Sequence, residues 1–256
     1  MSKNFELLQQ VGGQQEIYDT PKQERPATAV DPTATGTPAV GTTALEPTGM
    51  TREEITKLVH RLFLIPGTSA PHTVVFAGTE TSNGCSWLAA RAAEILASQV
   101  TGCVCLLDCN LRSPSLHQQF GLENHFGLSE ALSQNNRIGQ YLRPLSMPNL
   151  WLLSSGSPTE NGAALLGSDR MRARLRELRG ENEYLIVDAG ALDTGTDGIV
   201  LGSLSDGVVL VLKANSSRRD SARKSMKELQ AANVPILGVV LNRRTFPIPE
   251  AIYKRL

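Results

Sequence analysis

From residue 73 to residue 242 the chain alternates two hydrophobic patterns. Short continuous apolar runs, TVVFA (73–77), VCLLD (104–108), NLWLLSS (149–155), YLIVDAG (184–190), GVVLVLK (207–213) and ILGVVLN (236–242), predict strands. The stretches between them repeat apolar residues at helical spacing and predict helices over 85–98, 127–133, 168–179, 196–203 and 217–232. A further helix opens at TREEITKLVHRLFL, where Thr51 and Glu54 form a capping-box pattern and Ile55, Leu58, Val59 and Leu62 mark one face. Strands that are apolar on both sides, each separated from the next by a helix, predict an α/β fold. Its core would be a mostly parallel β-sheet with helices on both faces.

The pattern stops abruptly upstream. Residues 20–50 are rich in Pro, Thr, Ala and Gly and nearly lack large apolar side chains, so they read as a linker unable to offset its ordering entropy. Residues 1–19 carry Phe5, Leu7, Leu8 and Val11 near helical spacing before Gly12 and Gly13. They read as a docking peptide or as a terminus with incidental hydrophobes. The folded domain is expected over 51–245, with a short tail over 246–256.

Charge and cysteine content narrow the partners. With 25 basic and 25 acidic residues there is no global field to favour nucleic acid or anionic lipid. No stretch approaches the roughly 18 apolar residues of a membrane span, and the N-terminus has no signal-peptide apolar region, so a soluble cytoplasmic protein is expected. Cys85, Cys103, Cys105 and Cys109 cluster in one segment. Cys103 and Cys105 share a strand face, as a metal or redox pair would, but single-residue spacing in a strand also suits small buried side chains.

Ligands of such sheets sit beyond the carboxyl ends of the strands, which singles out the loops at 78–86, 108–115 and 188–197. The first, AGTETSNGCSW, has the layout of a phosphate-binding loop between strand and helix. Backbone amides and the helix N-terminus hold phosphates there, a lysine neutralises the outer oxygens, and a hydroxyl binds magnesium. Gly84 and Ser86 suit those roles, but Cys85 stands where the lysine should, and no Lys or Arg occurs from Thr73 to Ala90.

The second loop carries more. LLDCNLRSPSLHQQFGLENHFGLSEAL, with Asp108, Asn110, Arg112 and Pro114, closely resembles the bacterial tyrosine kinases of exopolysaccharide synthesis, in the ParA/MinD-like branch of P-loop ATPases. The resemblance continues through SSGSPTENGAALLGSDRMRARLRELRGENEYLIVDAG and TDGIVLGSLSDGVVLVLKANSSRRDSARKSMKELQAANVPILGVVLNRR, covering about residues 51–245 in order. It implies ATP or ADP with magnesium as cofactor. Ser86, Asp108 and Asp188 would bind the metal, Asp108 and Asp188 would be catalytic in an active enzyme, and Gly84, Cys85, Ser86 and Asn242 would line the nucleotide. It also implies self-association through a helix carrying Glu54, Lys57 and Arg61 (or His60), and a polysaccharide co-polymerase-type membrane protein or an active kinase as partner. That partner would draw the protein to the inner face of the plasma membrane.

The sequence departs from the family pattern at Cys85, at Asn110 in place of a second carboxylate, and at Ala-Gly-Ala (189–191) in place of Thr-Pro-Pro. Tyr253 stands alone where a tyrosine cluster is usual, in a tail broken by two prolines. A phosphoryl-transfer site works by positioning and electrostatics, so losing the cation and the carboxylate together points to a catalytically impaired, regulatory or scaffold relative. Two alternatives stay open: an active autokinase whose lysine comes from elsewhere, such as Lys213 or Lys224, and a ParA/MinD-like positioning ATPase. Each site residue has a plainer reading too. Asp108 and Asp188 would cap turns, Ser86 would be a helix-start hydroxyl, Asn242 would mark a strand end, and Glu54, Lys57 and Arg61 would be a solvated face.

Overall fold

A computed structural model of the chain describes residues 49–65, 70–159 and 161–244. The expected docking peptide, the linker up to residue 48 and the tail with Tyr253 lie outside the described residues. Helix α1 (Gly49–Phe63) starts two residues before Thr51, so Thr51 falls within its first turn rather than at its cap. The chain continues through β1 (Thr73–Gly78), α2 (Cys85–Gln99), β2 (Val104–Asp108), α3 (Leu116–Gln119) and α4 (Leu128–Ser133). After β3 (Arg143–Pro144), β4 (Leu150–Leu153) and α5 (Gly162–Leu166) come α6 (Asp169–Glu181) and β5 (Tyr184–Ala191). Helix α7 (Asp197–Ser203), β6 (Gly207–Lys213), α8 (Arg219–Ala231) and β7 (Ile236–Asn242) complete the domain.

Six of the seven strands are parallel, in the order β3-β4-β2-β5-β1-β6-β7. The exception is β3, two residues antiparallel to β4 at one edge, where Pro144 costs no central ladder bond. Strands β1 and β2 are buried at every position, which is why they read as unbroken apolar runs.

Alternate residues feed the two faces. Val74 and Phe76 of β1, with Val104 and Leu106 of β2, pack under α1 and α2. Val75, Ala77, Cys105 and Leu107 pack under α4, α6, α7 and α8. Cys105 is therefore a core residue. None of the four cysteines forms a disulfide, and no cluster of three or more His, Cys, Asp or Glu suited to a metal occurs among the described residues. Helix α1 buries Ile55, Val59 and Phe63, with Leu58 and Leu62 half-covered beside them. Lys57 on its outer face pairs with Glu53 at 2.8 Å and Glu54 at 2.9 Å, all three more than half exposed. No helix among the described residues is long and apolar enough to cross a membrane.

The sheet order decides where chemistry can occur. Strands β2, β5 and β1 are neighbours, so the three loops after them converge at one end of the sheet.

Candidate functional site

The loop after β1 is fastened from within. Buried Asn83 donates from Nδ2 to the Val211 carbonyl at 2.9 Å and to Thr79 Oγ1 at 3.2 Å, while the Thr79 amide donates to the Val211 carbonyl at 3.1 Å. The chain then turns through left-handed backbone at Ser82 (φ 61°) and Gly84 (φ 77°). Glycine is required at 84 on two counts. It takes this conformation without strain, and a Cβ there would stand 2.5 Å from Asn242 Nδ2. Asn242, at the end of β7, donates from Nδ2 to the Asn83 carbonyl at 2.8 Å and accepts on Oδ1 from the Arg243 amide at 2.8 Å. It straps the loop to the sheet.

Replacing Asn242 with alanine should cost about 1 kcal/mol, the net worth of such a bond. In a thermal melt that corresponds to a Tm drop of about 2–4 °C for a domain of this size. An unchanged Tm would mean that the strap carries no load.

Helix α2 begins directly after Gly84 with no acidic residue in its first turn, so its positive end has no carboxylate of its own. Cys85 is 6% exposed and packs into the core under α1 and α2. Burial pushes its thiol well up, the negative charge of Asp188 adds to this, and the group is neutral. Ser86 follows at the helix start. Trp87 and Trp151 are half-buried packing residues.

Asp108 ends β2, and Asp188, three residues before the end of β5 and not at its end as the sequence suggested, stands opposite it in register. Asp108 is fully buried and accepts from three backbone amides: Asn110 on Oδ1 at 3.2 Å, and Ser115 and Leu116 on Oδ2 at 3.2 and 3.1 Å. Even so, burial and then Asp188 raise its pKa from 3.8 to about 7. Asp188 is raised by burial too, against the pull of the Ser86 and Cys85 side chains and the Gly190 amide. Only one of its oxygens is satisfied: Oδ1 accepts from Gly190 at 3.3 Å, while Oδ2 is buried without a hydrogen-bond partner.

An orphaned buried carboxylate oxygen is expensive unless a cation or donor completes it. Two hard carboxylates beside a serine hydroxyl match the donors of magnesium, which keeps several waters and takes its remaining oxygens from phosphate. The metal half of a magnesium–nucleotide site therefore fits these residues. The bare Cα of Gly84 and a helix start with no acidic residue of its own fit a phosphate, although the loop itself holds no cation.

The other flanking residues are tied up in structure. Asn110 donates to the Ser113 carbonyl at 2.9 Å and accepts from the Ser113 amide at 3.2 Å, clasping the loop after β2. It packs so closely on Gly190 that a Cβ there would fall 2.7 Å from its side chain. Arg112 pairs with Asp197 of α7 at 3.3 Å, joining the second and third loops. Sequence reasoning passed over Asn83, although a small amide inside a glycine-bearing loop is itself a turn signal.

No protein-family model matches the chain. It is 31% identical over 159 residues to the tyrosine-protein kinase YwqD of Bacillus subtilis, a match covering 62% of this chain and 67% of that protein. It is 23% identical over 196 residues to the tyrosine-protein kinase wzc of Salmonella typhimurium, covering 77% of this chain but only 27% of that relative. Among solved structures, the chimerical protein CapA2B2 superposes with a TM-score of 0.73 at 24% identity, covering 80% of this chain and 89% of that one. The parallel sheet with helices on both faces is thus shared with structures of this group.

Proposed function

The chain belongs to the family of bacterial tyrosine kinases, and from that premise we propose that it is a catalytically impaired member acting as a regulatory or scaffold component of exopolysaccharide synthesis or export. The observation that carries this reading is Cys85. A buried, neutral thiol stands where phosphoryl transfer needs a cation, and it faces inward toward Asp188. Asn110 adds a second loss. Its amide takes no proton near neutral pH and is already spent on Ser113. Bound magnesium and nucleotide would supply the transferable phosphoryl group. Ser86, Asp108 and Asp188 would hold the cation, and the amides opening α2 would face the phosphates.

On this reading the protein occupies the place of an active kinase on a polysaccharide co-polymerase-type membrane protein, or on the kinase itself, at the inner face of the membrane. Residues 1–19 and the helix bearing Glu54, Lys57 and Arg61 are the proposed contact segments, the latter for self-association. The match to YwqD and the retained carboxylate pair support the family frame. The missing cation supports the loss of turnover.

Purified protein with magnesium and ATP should release phosphate no faster than the protein-free blank. Losing one positive group costs about 3 kcal/mol of transition-state stabilisation, or at least a hundredfold in rate. Magnesium-dependent hydrolysis that disappears in Asp188→Ala would overturn the reading in favour of an active autokinase.

A further inference from the structure

One cation does reach the phosphate loop, from the far edge of the sheet. Arg243 follows β7 directly, and its Nε lies 3.7 Å from where a Cβ on Gly84 would stand. Its backbone is left-handed (φ 55°), a conformation that a long side chain adopts only when its surroundings hold it there. The hold is visible. Its amide donates to Asn242 Oδ1, and the other end of the same amide group grips the Asn83 carbonyl. The backbone is thereby held with the guanidinium at the mouth of α2. It is exposed, and among the described residues no carboxylate pairs with it.

Beside Ser86 at the same helix start lies the opposite deficit, the buried Asp188 Oδ2 with no partner. A free anion would be repelled by Asp108 and Asp188, and a free divalent cation would gain nothing from Arg243. The ligand complementary to both carries a cation and negative oxygens together. We propose that Arg243 supplies the positive charge that Cys85 leaves out, so that the start of α2 binds a magnesium-complexed diphosphate. This rests on the reading of the chain as a kinase relative without turnover. It adds that nucleotide is retained as a bound ligand through a residue outside the phosphate loop.

Calorimetric titration of the full chain with magnesium ADP tests this, using Arg243→Asn because asparagine tolerates left-handed backbone. Wild type should bind, and binding should vanish when EDTA removes the metal. Arg243→Asn should bind about tenfold or more weakly at an unchanged Tm, as expected when a charge-assisted contact to phosphate is lost. Lys227→Ala, an exposed cation on α8, should bind as wild type does. Raising salt should weaken wild type more than Arg243→Asn. Wild type failing to bind, or Arg243→Asn binding equally well, overturns the inference and leaves the reading of a silent enzyme intact. ATP hydrolysis accompanied by Arg243-dependent binding would do the reverse.

Discussion

Raising the pH from 5 to 8.5 should weaken the fold by about 3 kcal/mol, and Asp108→Asn should remove most of that slope. The Asp108 carboxyl titrates near 7 in the folded protein against 3.8 ordinarily, because it is buried first and faces Asp188 second. The folded state therefore holds a proton that the unfolded chain releases between those values. Its stabilising contribution is complete below pH 3.8, declines through the interval, and is gone above about 7. At ~1.4 kcal/mol per tenfold change in proton affinity, the interval is worth on the order of 4 kcal/mol. Asp188 is raised in the same sense and adds to the slope.

The measurement is urea unfolding across the pH range without metal. The slope is the readout, because the amide in Asp108→Asn also disturbs the contacts with the Ser115 and Leu116 amides and changes absolute stability. A wild-type curve that is flat between pH 5 and 8 would mean that the carboxylate pair is solvated or already compensated. Millimolar magnesium should raise stability at pH 8 and have little effect at pH 5, where the Asp108 carboxyl keeps its proton.

Cys85→Lys should raise affinity for magnesium ATP about a hundredfold without restoring hydrolysis. The thiol is packed toward Asp188, so an ammonium on a longer stem arrives beside Asp188 Oδ2, a buried carboxylate oxygen without a hydrogen-bond partner. In the free protein that ion pair offsets the cost of burying a lysine. It should also hold Asp188 ionised to lower pH, flattening the slope described above. With nucleotide bound, the ammonium turns to the phosphates, where a charge-assisted contact in a dry site is worth roughly 3 kcal/mol. Hydrolysis stays absent because Asn110 remains an amide, and the double variant Cys85→Lys/Asn110→Asp is the one in which turnover should appear. A folded Cys85→Lys protein whose calorimetric affinity equals wild type would show that the missing cation is not what limits the site.

The two results separate cleanly from the Arg243 titration. If Arg243 already carries the phosphate charge, Cys85→Lys improves an existing site, and the gain persists when Arg243 is replaced. If Arg243 contributes nothing, the Cys85→Lys gain starts from a protein that does not bind.

The strands β1, β2, β5, β6 and β7 were legible in the sequence to within a residue or so, because burial on both faces leaves an unbroken apolar run with its own boundaries. The larger helices were equally plain from their spacing. Helices α3 and α5 and strand β3 were not, since elements of two to five residues are too short to show a period. Cys85, Asn110 and the three strand-end loops were readable in the same way, as residue types at fixed offsets from predicted strands.

What the sequence determined by itself was therefore local: which segments are strands or helices, and which side chains stand at the strand ends. The tertiary structure decided what those side chains meet. Sheet order alone puts Asp108 opposite Asp188, although 80 positions separate them in the chain. Burial supplied by distant helices, rather than anything in the residue itself, moves the Asp108 carboxyl toward neutrality. The close approach of Arg243 to Gly84 needed β7 to be laid beside β6, because charge and desolvation act through space while hydrophobic periodicity acts along the chain.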